Sequence, residues 1–139
     1  MTARLAMVAV LGFFSVACRP AEPPPLVSVH DLAISSPGDY PPVVRLKARV
    51  GASIESMFVE DLSCADPCGE SYSLTGKYPD IVRIRGALIP AQGGGASAQA
   101  VLVVSPRYLT HPKLGRGRTQ PMLAWVELVR IEQLGPSVR

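Results

Sequence analysis

The sequence predicts a small all-β domain, five to six strands closed into a barrel, standing behind an export segment and a proline-rich tether. Two observations predict the strands. Apolar and polar residues alternate with period two through most of the chain, and 12 Gly and 14 Pro interrupt it about every ten residues. A third bounds the class: after the first eighteen residues no apolar run reaches the roughly 20 residues that a membrane-spanning helix needs. A two-sheet β-sandwich would give the same alternation and is the alternative architecture.

Taken in order, Met1 to Arg4 is a short basic start, Leu5 to Phe14 is apolar, and Ser15-Val16-Ala17-Cys18 supplies small residues before a cleavage point. This is the pattern of an export signal, too short to cross a bilayer, and it places the protein outside the cytoplasm. Residues 1–17 are therefore expected to be removed. Arg19-Pro-Ala-Glu-Pro-Pro-Pro25 follows as a stiff, extended tether with no core of its own. Residues 26–139 are long enough for one domain that folds alone.

Within that domain Leu26 to Ile34 is a weak strand candidate, because its alternation changes parity at His30-Asp31. Val43 to Val50 is the clearest strand, with Val44, Leu46, Ala48 and Val50 inward and Arg45, Lys47 and Arg49 outward. Gly51-Ala52 reads as a turn, and Ser56 to Leu62 as the returning strand of a hairpin, Met57 and Val59 on one side and Phe58 and Glu60 on the other. Beyond the Cys64 to Gly69 loop come a short strand at Tyr72 to Thr75, a turn at Gly76 to Pro79, and a strand at Ile81 to Ile89. In that last segment Val82, Ile84 and Leu88 share a face against Arg83 and Arg85, and Gly86 marks a bulge. A Gly-rich loop leads to a buried strand at Val101 to Val104, and His111 to Pro121 is a loop with a basic tip. In Met122 to Leu134, Leu, Ala, Glu and Gln favour helix while Trp125, Val126, Val129 and Ile131 favour strand; strand is the expectation.

Two resemblances add to this reading. The small residues directly before Cys18 resemble the lipobox of bacterial lipoproteins, which implies that the Cys18 thiol is acylated and becomes the first residue of the mature chain. Several acyl chains on one residue hold a protein on a membrane stably. Arg19 in place of an Asp implies the outer membrane, facing the periplasm; a soluble secreted or periplasmic domain is the alternative. The succession Val44-Arg-Leu-Lys-Ala-Arg-Val50, Met57-Phe-Val-Glu-Asp61, Ser71-Tyr-Ser-Leu74, Asp80-Ile-Val-Arg-Ile-Arg-Gly86 and Val126-Glu-Leu-Val-Arg-Ile-Glu132 resembles bacterial OB-folds, five-stranded Greek-key barrels. That likeness concerns architecture and says little of function.

Chemistry-bearing residues are few. Cys64-Ala-Asp-Pro-Cys68 in an exported chain is expected to close a small disulfide loop over the Asp66-Pro67 turn. The same spacing resembles that of periplasmic copper chaperones, which implies a copper or redox role as an alternative; His30 and His111 are the only histidines available as further ligands. In an OB barrel the first and fourth strands are neighbours, so Arg45, Lys47 and Arg49 would lie beside Arg83 and Arg85 as one cationic face for anionic polymers or headgroups. The face that binds oligomers in such barrels would offer Phe58 and Tyr72. Trp125 reads as core. A whole-chain charge of +3 is too weak to indicate nucleic acid. No nucleophile elbow, metal-protease, phosphate-loop or calcium-loop motif occurs, so no catalytic residue, resident metal or cofactor is expected. The expected partners are a membrane, through the anchor, and another envelope protein or anionic polymer.

Overall fold

In the computed structural model, which describes residues 20–53, 55–64, 70–88, 96–110 and 121–138, the barrel is organised around β2 (Val44–Ala52). Its inward residues Val44, Leu46, Ala48 and Val50 are completely buried, as the alternation predicts. One edge of β2 runs antiparallel to β5 (Ala96–Leu109) over the whole strand, from Val44 opposite Val104 to Ala52 opposite Ala96. The other edge is shared by two short strands. β3 (Met57–Glu60) covers the second half antiparallel, and β1 (Leu26–Ser28) covers the first half parallel, Leu26 opposite Arg45. Neither short strand alone would satisfy the backbone of that edge.

From β3 the sheet continues through β4 (Ser71–Gly76), which pairs parallel with β6 (Met122–Leu134), and β6 returns antiparallel to β5. The order β2-β3-β4-β6-β5 closes back on β2. A single closed sheet excludes the two-sheet sandwich, and the molecule is a small all-β, OB-like barrel with one extra strand, β1. Three register shifts along β5 and β6 supply the local bends that closure needs. Pro106 sits in β5 beyond the reach of β2, where only β6 is paired, so its missing N–H interrupts no second ladder. Met122 to Leu134 is strand, as expected.

Several expectations are corrected. Residues of the segment beginning at Ile81 form a helix, α2 (Tyr78–Leu88), in place of the fourth barrel strand, and that strand is β5, which includes the expected buried strand Val101 to Val104. Pro79 and Asp80 lie in the first helical turn, where a missing N–H costs nothing and an acid suits the helix dipole. Ile84 and Leu88, one turn apart, are fully buried with Ile81 beside them, whereas Val82 is exposed. The helix packs on β2, β4, β5 and β6 and plugs one end of the barrel. Gly86 is an exposed helical position instead of a bulge. The turn expected at Gly76 to Pro79 reduces to a corner: a Cβ on Gly76 would lie 2.9 Å from Leu128 Cβ, so only glycine lets β4, β6 and α2 meet there.

The parity change at His30-Asp31 marks a second helix, α1 (Val29–Ile34), in place of a longer strand. Ser28 and Asp31 form a reciprocal capping box, Ser28 N–H to Asp31 Oδ2 at 3.1 Å and Asp31 N–H to Ser28 Oγ at 3.0 Å. Val29 and Leu32 anchor α1 in the main core. Gly51 and Ala52 belong to β2; the hairpin is tied beyond them between Ser53 and Ser56, where Ser56 N–H donates to Ser53 Oγ at 3.1 Å.

Candidate functional site

The outward positions of the barrel fall into rows fixed by register. One row runs Gly51 on β2, Phe58 on β3, Ser73 on β4, Trp125 on β6 and Arg107 on β5, each opposite the next. Val59, Leu74 and Val126, their chain neighbours, are buried inward, so this row faces out. Phe58 and Trp125 are half-buried, and neither belongs to the main core cluster. They stand on either side of exposed Ser73, two strand spacings or roughly 10 Å apart at the backbone. The floor between them, Ser71, Ser73 and Thr75, carries only small hydroxyl side chains and is exposed.

Phe58 is held by what lies beneath it. A Cβ on Gly51 would fall 2.2 Å from the end of the Phe58 ring, so the ring rests on the glycine backbone and leaves its other side outward. Trp125 lies opposite Arg107, whose guanidinium donates to Glu127 Oε2 from Nε at 3.1 Å and from Nη2 at 2.6 Å. The outer face of β3, β4 and β6 is therefore two aromatic groups around a hydroxyl trough, with an ion pair at its margin.

The expected cationic face does not form. Arg83 and Arg85 lie on α2, not on the strand beside β2. Arg45 donates through Nε and Nη2 to both carboxylate oxygens of Glu132 on β6, reaching across β5. That contact raises the Arg45 pKa and lowers that of Glu132. Arg49 Nη1 lies 3.6 Å from Glu60, its registered partner on β3, and donates to Cys64 O at 3.4 Å. Lys47 is exposed and has no ion pair among the described residues. Two of the three β2 cations are thus neutralised in place.

The pairing of Phe58 with Tyr72 is also corrected. Tyr72 lies opposite Val59 and packs against the core, so it points away from the face that Phe58 occupies, and its partial burial raises the hydroxyl pKa. Trp125 takes its place on the outer face, contrary to its reading as a core residue. The signal for it was in the sequence: with Val126 and Leu128 inward, period two puts Trp125 and Glu127 outward together.

Asp61, at the end of β3, is a buried carboxylate with a structural task. It accepts from His30 N–H at 2.9 Å and from the Ser63 hydroxyl and N–H at 2.6 and 3.0 Å, joining α1 to the loop that leads to Cys64. These bonds, the Ser63 hydroxyl foremost, hold its pKa at about 2 against the ordinary 3.8. His30 Nδ1 lies 3.7 Å from Glu70. Among the described residues no group of three or more His, Cys, Asp or Glu is arranged to hold a metal, and no helix is long and apolar enough to cross a membrane. Cys18, Cys68 and His111 lie outside the described residues. Compared with known proteins, the chain matches no family model, no curated protein and no solved structure, so its likeness to the OB barrel rests on strand order and pairing.

Proposed function

We propose that this chain is a non-catalytic lipoprotein of a bacterial cell envelope whose barrel binds another envelope component, an oligosaccharide by preference, on the outer face of β3, β4 and β6. In this reading Cys18 carries the lipid, Arg19 to Pro25 hold the barrel off the outer membrane on the periplasmic side, and a Cys64–Cys68 disulfide stiffens the loop beyond β3. The observation that carries it is the pair Phe58 and Trp125, both outward, both outside the main core and separated by a trough of hydroxyls. Aromatic faces stack on flat or ring-shaped ligands whatever their sequence. A nucleic-acid backbone needs uncompensated cations, and Arg45, Arg49 and Arg107 each face a carboxylate. A neutral or weakly charged sugar chain does not.

Trp125 is the only tryptophan, so its emission reports on the site directly. Titration with soluble amino-sugar oligosaccharides is expected to shift that emission, and Phe58→Ala to weaken the apparent affinity by about fivefold or more, the loss of one stacking contact of about 1–3 kcal/mol. Emission unmoved by every sugar tested, or a Phe58→Ala protein that binds as tightly as the parent, would overturn the proposal.

A further inference from the structure

A second concavity lies on another side of the barrel, over β2, β5 and the end of β6, with a cavity volume of about 360 Å³. That is within the size range of small-molecule sites. Its polar groups are the ammonium of Lys47 and the carboxamides of Gln99 and Gln133; Val101, Leu134 and Leu62 supply apolar walls. Register explains the grouping. Val101 on β5 lies between Lys47 on β2 and Gln133 on β6, so cation, apolar floor and amide form one outward row. The register shift between Val101 and Leu102 leaves Glu132 without an opposite residue, and its carboxylate is taken by Arg45.

We propose that this pocket binds a small carboxylate ligand with a short aliphatic or peptide portion. Lys47 would take the carboxylate, Gln99 and Gln133 would donate to its oxygens or to an adjoining amide, and the aliphatic part would lie on Val101 and Leu134. The charge arrangement selects the anion. A single ammonium flanked by neutral amides matches one negative charge, and with Arg45 and Arg49 already neutralised by Glu132 and Glu60, β2 offers no second free cation to hold a dianion. Oxidised carbon at one end and apolar surface at the other fit a lining that is itself part ammonium and part valine and leucine. The proposal uses none of the residues of the Phe58 and Trp125 face and does not depend on it.

The test is a titration of the full ¹⁵N-labelled chain in detergent with N-acetyl-alanyl-alanine and with butyrate, followed by NMR of the Gln99 and Gln133 side-chain amides, with inorganic phosphate as the comparison. Both carboxylates are expected to shift these amides saturably at millimolar concentration or below, and phosphate at least tenfold more weakly. Lys47→Met, which keeps the aliphatic stem and removes the charge at an exposed strand position, should lose at least tenfold in affinity, and Lys47→Arg should restore most of it. Amides that do not move, a Lys47→Met protein that binds like the parent, or phosphate binding as tightly as the carboxylates would each overturn the assignment. With both bound, tighter binding of the peptide carboxylate makes the ligand a peptide end, and equal binding makes it a simple carboxylic acid.

Discussion

At the scale of single residues, the side chains that decide most are those whose partners come from elsewhere in the chain. Asp61 is separated by 31 positions from His30, whose N–H it accepts. Asp61→Asn would set an NH₂ group against donors that now find a carboxylate oxygen, and a buried polar group left without its partner costs about 1–3 kcal/mol. A fall of that size in unfolding free energy, read from urea titration, is the expected outcome. The pH dependence carries a sign. Because the folded carboxyl titrates at about 2 and its ordinary value is 3.8, its stabilisation is complete above roughly pH 4 and is lost as pH falls through about 2. The gap between parent and Asp61→Asn should therefore close across that interval, and a constant gap would contradict the linkage. Arg45, Arg49 and Arg107 teach the complementary lesson. Arg45 and Arg49 were legible as outward cations in a strand pattern and Arg107 was not, and the carboxylate partners of all three, Glu132, Glu60 and Glu127, lie on other strands and become visible only when register is known.

At the scale of elements, α2 shows how two periods can compete in one stretch. Val82, Ile84 and Leu88 fit period two against Arg83 and Arg85, yet Ile81, Ile84 and Leu88 fit a helical face equally well. Pro79 and Asp80 at the helix start, and the burial of Ile84 and Leu88 where the helix packs on β2, β4, β5 and β6, favour the helix. The β-branched residues that suggested a strand are tolerated because tertiary burial outweighs their modest helix penalty. Gly86 pays no such role. A Cβ there would meet nothing within 4 Å, so Gly86→Ala is expected to stabilise the fold by about 0.5–1 kcal/mol, seen as a higher denaturation midpoint with unchanged circular dichroism. A lower midpoint would mean that α2 is not helical at that position. Gly51 is the opposite case: its missing side chain is the seat of the Phe58 ring, so a glycine that reads as a turn from sequence is a strand residue in the fold.

At the scale of the whole molecule, the proposed arrangement is a barrel at the end of a proline-rich tether, and the tether matters only if its first residue is fixed. Cys18→Ser is expected to move the protein from the membrane fraction to the soluble one; a parent protein already wholly soluble would contradict the anchor. By itself the sequence determined the β class and the inward set Val44, Leu46, Ala48 and Val50, and it paired Met57 with Val59 on one side of their strand, because period-two burial is a local property of each segment; for Met122 to Leu134 it weighed strand above helix, and the structure bears that out. The plugging helix, the neutralised arginines, and the meeting of Phe58 with Trp125 on one face were decided by tertiary structure alone. Each depends on which strands lie side by side and in what register, and pairing between residues tens of positions apart leaves no mark in the local pattern of either.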